Sequence, residues 1–262
     1  MRIIVCVKQV PDTNEVRIDP VKNTLIREGV PSILNHDDAN ALEEALIIKD
    51  SNPDTHITVL TMGPPQAKDM LLECMAMGAD EAILLSDRAF AGSDTWATSN
   101  CLAAAVRKIK DYDLILAGRQ AIDGDTAQVG PQLAEKLNLP QVTYVREFHF
   151  DRKEVTVKRA LENGYEVIGV KMPCVLTAIK ELNEPRYMSI SGIYEACDKT
   201  IAVWTMKDLD ISLEEVGLES SPTNVFRSFT PAAKGKGVML SGDGEKETVS
   251  NLLESLRAKH LI

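Results

Sequence analysis

Four short apolar runs recur along the first 118 residues, each separated from the next by enough chain for a helix, and that rhythm admits few folds. Ile3 to Val7 is a continuous run rich in β-branched residues, the pattern of a strand buried on both faces. His56 to Met62, the segment EAILLSD and Leu114 to Ala117 repeat it. Between them, SILNHDDANALEEALIIKD predicts a helix starting near Asn35 or Asp37, with Ala41, Leu42, Ala45, Leu46 and Ile48 on its buried face. A second helix runs from about Gln66 to a C-terminal cap at Gly78, and a third is capped by Ser93 or Asp94. Strands alternating with helices at this spacing require right-handed crossovers and a parallel sheet, with Ile3 to Val7 at its centre.

The rhythm breaks in two places. Residues 12 to 34 read as an excursion with turns at Asp19-Pro20 and Gly29. After Pro140, the segments QVTYVREFHF, EVTVKRA, YEVIGVKM and CVLTAI have strand composition with little room for helices, so they are expected to add antiparallel strands. Asn163-Gly164 is a hairpin turn between two of them. The expected architecture is α/β, a mostly parallel sheet with flanking helices in residues 1–192, with the added antiparallel strands. Residues 193–262 are less regular, with Pro222, Pro231 and the Gly235-Gly237-Gly242-Gly244 series before a final helix from Glu245 to His260. Such an arm is either a loose surface segment or one ordered by a partner.

The stretch DLILAGRQAIDGDTAQVGPQLAEKL carries the chemistry. A strand meets Gly118, passes through a polar loop and enters a helix, which is where parallel α/β sheets place ligands. Gly124 and Gly130 allow positive φ, so the backbone N–H groups from Gly124 to Gly130 form a candidate anion nest. A second reading needs no ligand: Asp125 and Gln128 have capping-box spacing. Carboxylates at Asp123 and Asp125 repel a phosphate set directly against them, which favours capping or ribose hydroxyls.

Composition narrows the classes further. A formal charge of −10 without a basic cluster argues against nucleic acid and anionic membrane surfaces as partners. The opening MRIIVCVKQVPD is too poor in apolar residues for a signal peptide or spanning helix, so a soluble, cytoplasmic protein is expected. Cys6, Cys74, Cys101, Cys174 and Cys197 lack metal or C-x-x-C spacing and read as buried reduced thiols. Neither G-x-S-x-G nor H-E-x-x-H occurs, and no G-x-G-x-x-G follows the first strand, which sets aside nucleophilic and zinc hydrolases and standard Rossmann dehydrogenases.

The loop GRQAIDGDTAQVGPQ resembles the nucleotide loop of electron transfer flavoprotein beta subunits. The likeness continues through VCVKQVPDT, SILNHDDANALEEAL, MGPPQAKDMLLECMAMGADEA, VKRALENGYEVIGVKMPCVLTA and LNEPRYMSISGI, with Asn163 in place of the usual acid or glycine. That resemblance implies a Rossmann-like, adenine-nucleotide-binding fold whose pocket uses Cys6, Asn35, His36, Asp37, Asp38, Met62, Gly63, Asp123, Gly124, Asp125, Thr126, Ala127, Gln128, Val129 and Gly130. Each also has a plainer reading: Cys6 and Met62 as core, Asn35 to Asp38 as helix caps.

In ordinary members of that family the pocket holds AMP and the single FAD belongs mainly to the alpha subunit, while in the electron-bifurcating branch it holds a second FAD. The string D-G-D-T-A-Q-V-G-P looks more like the bifurcating branch. That implies hydride from NADH, an acyl-CoA dehydrogenase-type partner, and ferredoxin or flavodoxin as low-potential acceptor. The resemblance also makes Leu182 an exposed partner-docking leucine and the 193–262 arm a segment packing on the alpha subunit. Two other classes share the parallel design. A universal-stress-type regulatory module would end soon after the fifth strand, and an ATP pyrophosphatase needs an S-G-G-x-D-S-like loop that VKQVPDT lacks.

Overall fold

A computed structural model describes residues 1–12, 31–151, 154–226 and 234–262. The described residues fall into two compact units, those up to Phe226 and those from 234 to the end. The first is built on a nine-stranded sheet. Its parallel part contains β1 (Arg2–Cys6), β4 (His56–Met62), β5 (Glu81–Leu85) and β6 (Leu114–Gly118). β1 lies between β4 and β6, with Val5 opposite Val59 on one side and Leu116 on the other. The central strand is therefore where the apolar run places it.

The continuous apolar character of β1 has a direct cause: its side chains alternate between two cores. Ile3, Val5 and Val7 join α1 (His36–Ser51) and α2 (Ala67–Met77) on one face, while Ile4 and Cys6 join α3 (Thr95–Ile109) and α4 (Val129–Leu137) on the other. Burying each Leu or Ile in such a core contributes about 2 kcal/mol. Asp94 caps α3 by accepting from the Ala97 N–H, and Gly78 ends α2 at φ +133°. Four cysteines are buried, but Cys197 is exposed.

The antiparallel addition is real but smaller than the sequence suggests. β7 (Gln141–Asp151), β8 (Glu154–Leu161) and β9 (Gly164–Lys171) pair antiparallel. In β8 only Val155 and Val157 are buried, so its pattern alternates as a one-sided sheet demands. Its hairpin to β9 places Glu162 and Asn163 between the paired Leu161 and Gly164, and Gly164 takes the positive φ of +144°. β10 (Cys174–Ala178) corrects the expectation: it is parallel to both β6 and β7, between which it lies. All five of its residues are buried, because helices cover both faces there; an edge antiparallel strand would alternate.

Two further pairings were not legible. β2 (Gln9–Pro11) and β3 (Ser32–Leu34) form a small antiparallel ribbon at the ends of the 12–34 excursion, whose Asp19-Pro20 and Gly29 turns lie outside the described residues. Beyond α5 (Ile190–Cys197), the short β11 (Ala202–Trp204) adds a parallel strand beside β5. In the second unit, α6 (Glu245–Ala258) buries none of its residues.

Candidate functional site

The strand order β11-β5-β4-β1-β6-β10-β7-β8-β9 reverses direction at β1, since β4 and β5 build to one side and β6 to the other. The crevice beyond the carboxyl ends of β1 and β6 is thus the topological switch point, the usual ligand position in open α/β sheets. Asp38 is buried there, in the first turn of α1. Its Oδ2 accepts the Lys8 N–H at 2.8 Å and its Oδ1 accepts the Gly118 N–H at 2.9 Å, so one carboxylate ties the ends of both strands to the helix. Gly118 permits this approach: a Cβ on it would lie 2.7 Å from the backbone of Asp37 and Asp38.

Asn35, fully buried, works on the loop that follows β6. Its Nδ2 donates to the Gln120 carbonyl at 2.9 Å and its Oδ1 accepts the Ile122 N–H at 3.1 Å. It occupies the N-cap of α1 but makes no side-chain cap bond. Both residues therefore bind distant strand and loop ends, which plain helix capping does not explain.

The start of α4 differs from both sequence readings. No capping box forms: Gln128 is the N-cap without a side-chain cap bond. Its Oε1 instead accepts the Thr95 hydroxyl at 3.0 Å, and Asp125 Oδ1 accepts Gln120 Nε2 at 2.8 Å. The nest is also shorter than 124–130. The Gly124 and Asp125 N–H groups donate back to the Ala121 carbonyl at 3.1 and 2.9 Å, closing a turn.

Positive φ falls on Asp125 (+49°) and Ala127 (+52°) rather than on Gly124 and Gly130. Gly124 faces open space, while Gly130 is needed for packing, since a Cβ there would meet Thr177 of β10. Ala127 in the left-handed region followed by Gln128 at φ −108°, ψ −28° turns successive N–H groups to one side, into the first turn of α4. Repulsion from Asp123 is offset by Lys8, whose Nζ lies 2.6 Å from its Oδ1.

The other predicted residues flank this centre unevenly. Cys6 ends β1 as a core residue; burial, and after it Asp38, push its thiol up to about 12, so it is no nucleophile. Met62 ends β4 and Gly63 follows it, its N–H donating to the Leu85 carbonyl. His36, Gly124, Asp125, Thr126 and Gln128 are exposed, whereas Asp37, Asp123, Ala127 and Val129 are half-buried. Sequence reasoning missed Lys8, Gly118 and Thr177 as site-builders. The only local signals for the first two are a lysine and a glycine placed directly after apolar strand runs. Leu182 is half-buried against the core, not the exposed leucine expected.

Burial also sets the titration of Asp38. Desolvation pushes its carboxyl up to about 7 from an ordinary 3.8, against the Gly118 and Lys8 N–H groups that favour the charged form. A folded value above the unfolded one means that the contribution of Asp38 to stability is full below about pH 4 and is lost as pH rises through about 7. Denaturant unfolding across that range should show a decline in stability for the protein that is missing for Asp38→Asn. Identical pH slopes in the two would disprove the assignment.

Comparison with known proteins fits this geometry. The Electron transfer flavoprotein domain matches residues 22–209. The chain belongs to the electron transfer flavoprotein family. Within it, the chain is of the beta-subunit kind. It is 57% identical over 262 residues, the full length of both chains, to the electron transfer flavoprotein subunit beta of Clostridium acetobutylicum. It is 61% identical, again over the full length of both, to the caffeyl-CoA reductase-Etf complex subunit CarD of Acetobacterium woodii. Protein FixA of Azotobacter vinelandii is 43% identical over 99% of this chain and 94% of its own.

Among the described residues, no helix is long and apolar enough to cross a membrane, and no group of three or more His, Cys, Asp or Glu side chains is arranged to hold a metal ion.

Proposed function

We propose that this chain is the beta half of a heterodimeric electron transfer flavoprotein whose switch-point pocket holds FAD, accepts hydride from NADH and divides the electron pair. One electron would go to ferredoxin or flavodoxin and the other toward an acyl-CoA dehydrogenase-type partner. The observation that carries the reading is the α4 start, a helix N-terminus with no side-chain cap, aimed into the crevice beside a left-handed turn at Ala127. Those donors suit the adenosine phosphate that FAD and AMP share. The loop string resembling the bifurcating branch favours FAD, and 61% identity to a subunit whose name places it in a caffeyl-CoA reductase complex supports a CoA-ester-linked redox partner.

The flavin ring, when bound, supplies the hydride and single-electron chemistry, so no protein nucleophile is needed. What this chain supplies is position. Asp38 and Asn35 fix the strand ends and the loop, Lys8 pairs with the charge of Asp123, and Gly130 seats α4 on Thr177.

The alpha subunit is the proposed cover for the 193–262 arm. Val249, Leu252 and Leu253 form an exposed apolar stripe on α6 at helical spacing. Leu182 remains the proposed docking residue for the dehydrogenase, on a segment that continues into exposed Tyr187 and Ile190.

Counting cofactors in the purified heterodimer tests the reading. Two FAD per heterodimer, no AMP and bleaching of flavin absorbance by NADH are expected. One FAD with one AMP, and no reduction by NADH, would make the complex an ordinary single-flavin carrier.

A further inference from the structure

Arg119 follows Gly118 at the carboxyl end of β6, and three contacts hold it. Its backbone N–H donates to the Ala178 carbonyl at 2.8 Å. Its guanidinium lies over the Tyr144 ring, 5.8 Å from the centroid. Its Nε stands 3.3 Å from Asp37 Oδ2, at an angle that makes no hydrogen bond, so both buried atoms lack a hydrogen-bond partner. Among the described residues its two terminal nitrogens donate to no side chain or carbonyl, and about a third of the side chain is exposed.

Tyr144 is strained into this position. It takes φ +57°, an uncommon angle for a bulky residue, where β7 shifts register against β10. Its N–H donates to Thr177 Oγ1 at 3.2 Å. Thr177 is also the residue that underlies Gly130 in the first turn of α4. Tyr144 under the guanidinium and Gly130 in the first turn of α4 are therefore both seated on Thr177 of β10.

We infer that Arg119 is a specificity residue that presents its free terminal edge to the second phosphate of a nucleoside diphosphate group, while the first turn of α4 takes the other. This rests on the nucleotide-pocket reading above and adds which nucleotides the pocket prefers. A guanidinium held in its plane and open at its edge is set up for two parallel N–H···O bonds to one phosphate, a geometry a monophosphate ligand leaves unused.

The test uses the heterodimer freed of bound nucleotide and titrated calorimetrically with AMP, ADP and FAD. In the unmodified complex ADP is expected to bind tighter than AMP. Arg119→Gln should weaken ADP and FAD by about tenfold to a hundredfold, as for loss of a charge-assisted pair, and leave AMP unchanged. Arg119→Lys keeps the charge but not the fork and should fall between. ADP weakening without FAD weakening would assign the residue to free diphosphates alone, still as a second-phosphate contact. Equal weakening of AMP and ADP, or no weakening of either, would overturn the inference while leaving the pocket intact. Failure of the unmodified complex to bind any of the three would overturn the pocket reading and this inference with it.

Discussion

Gly118→Ala is expected to cost about 3 kcal/mol of stability and to empty the proposed nucleotide pocket. The added Cβ would sit 2.7 Å from the backbone at Asp37 and Asp38, and real Cβ atoms essentially never come that close to backbone. The contact is at the first turn of α1, so no side-chain rotation relieves it and either α1 or β6 must move. Movement breaks the Gly118 N–H to Asp38 bond, which costs about 1 kcal/mol more in a buried setting. It also pulls Asp38 from the Lys8 N–H and Asn35 from the loop carbonyl at Gln120.

Domains of this kind are stable by only about 5 to 15 kcal/mol, so the variant should melt measurably lower and carry less bound nucleotide per complex. Gly124→Ala is the control, because a Cβ there meets nothing within 4 Å and its φ is not left-handed. Equal melting temperatures and equal nucleotide content for Gly118→Ala and the unmodified protein would refute the close-approach argument.

The contrast between these two glycines shows where sequence reasoning reaches. β1, β4, β5 and β6 were legible because burial on both faces forces an unbroken apolar run, and α3 because Asp94 caps its first turn. The crevice was legible too, since a strand ending in glycine before a polar loop and a helix marks a switch point. What failed was decided by partners that the local pattern does not name. β10 has strand composition whether it pairs parallel or antiparallel; only the helices over both faces settle it.

The Asp125–Gln128 spacing satisfies a local capping rule, but Gln120 and Thr95 compete for the same side chains and win. Glycines looked like the natural seats for positive φ, yet Gly130 is required by Thr177 and the left-handed residues are Asp125 and Ala127. Lys8 and Arg119 were passed over because a lone cation after a strand is a local signal too weak to assign a role. Their roles come from Asp123, 115 positions away in the chain, and from Tyr144 and Asp37.

The same dependence on distant partners governs the segment that carries Leu182. Asn183 and Arg186 clamp it onto α1: Asn40 Nδ2 donates to the Asn183 carbonyl at 2.8 Å, and Asn183 Nδ2 donates to Glu44 Oε2 at 3.0 Å. Arg186 Nε and Nη2 reach Glu43 at 2.9 Å each, and Nη2 reaches Asp50 at 2.7 Å. These two carboxylates hold the guanidinium of Arg186 well above its usual range, and burial raises the Glu44 carboxyl. Glu43 is only 4% exposed, so Arg186→Ala would leave a buried carboxylate with the Arg186 backbone N–H as its remaining donor.

Removing one partner of a buried pair costs roughly 3 to 5 kcal/mol; with a third of the Arg186 side chain in solvent, about 3 kcal/mol is the expected loss. Replacing both partners should be far milder, because Arg186→Met with Glu43→Met removes the stranded charge along with its counterion. The single variant should also expose the 182–189 amides to faster hydrogen exchange and lower electron delivery to the dehydrogenase partner at limiting concentration, with cofactor content unchanged. A single substitution costing under about 1 kcal/mol, the value of an ordinary surface pair, would mean that the segment is held by its backbone contacts and that the Arg186–Glu43 pair is dispensable to it.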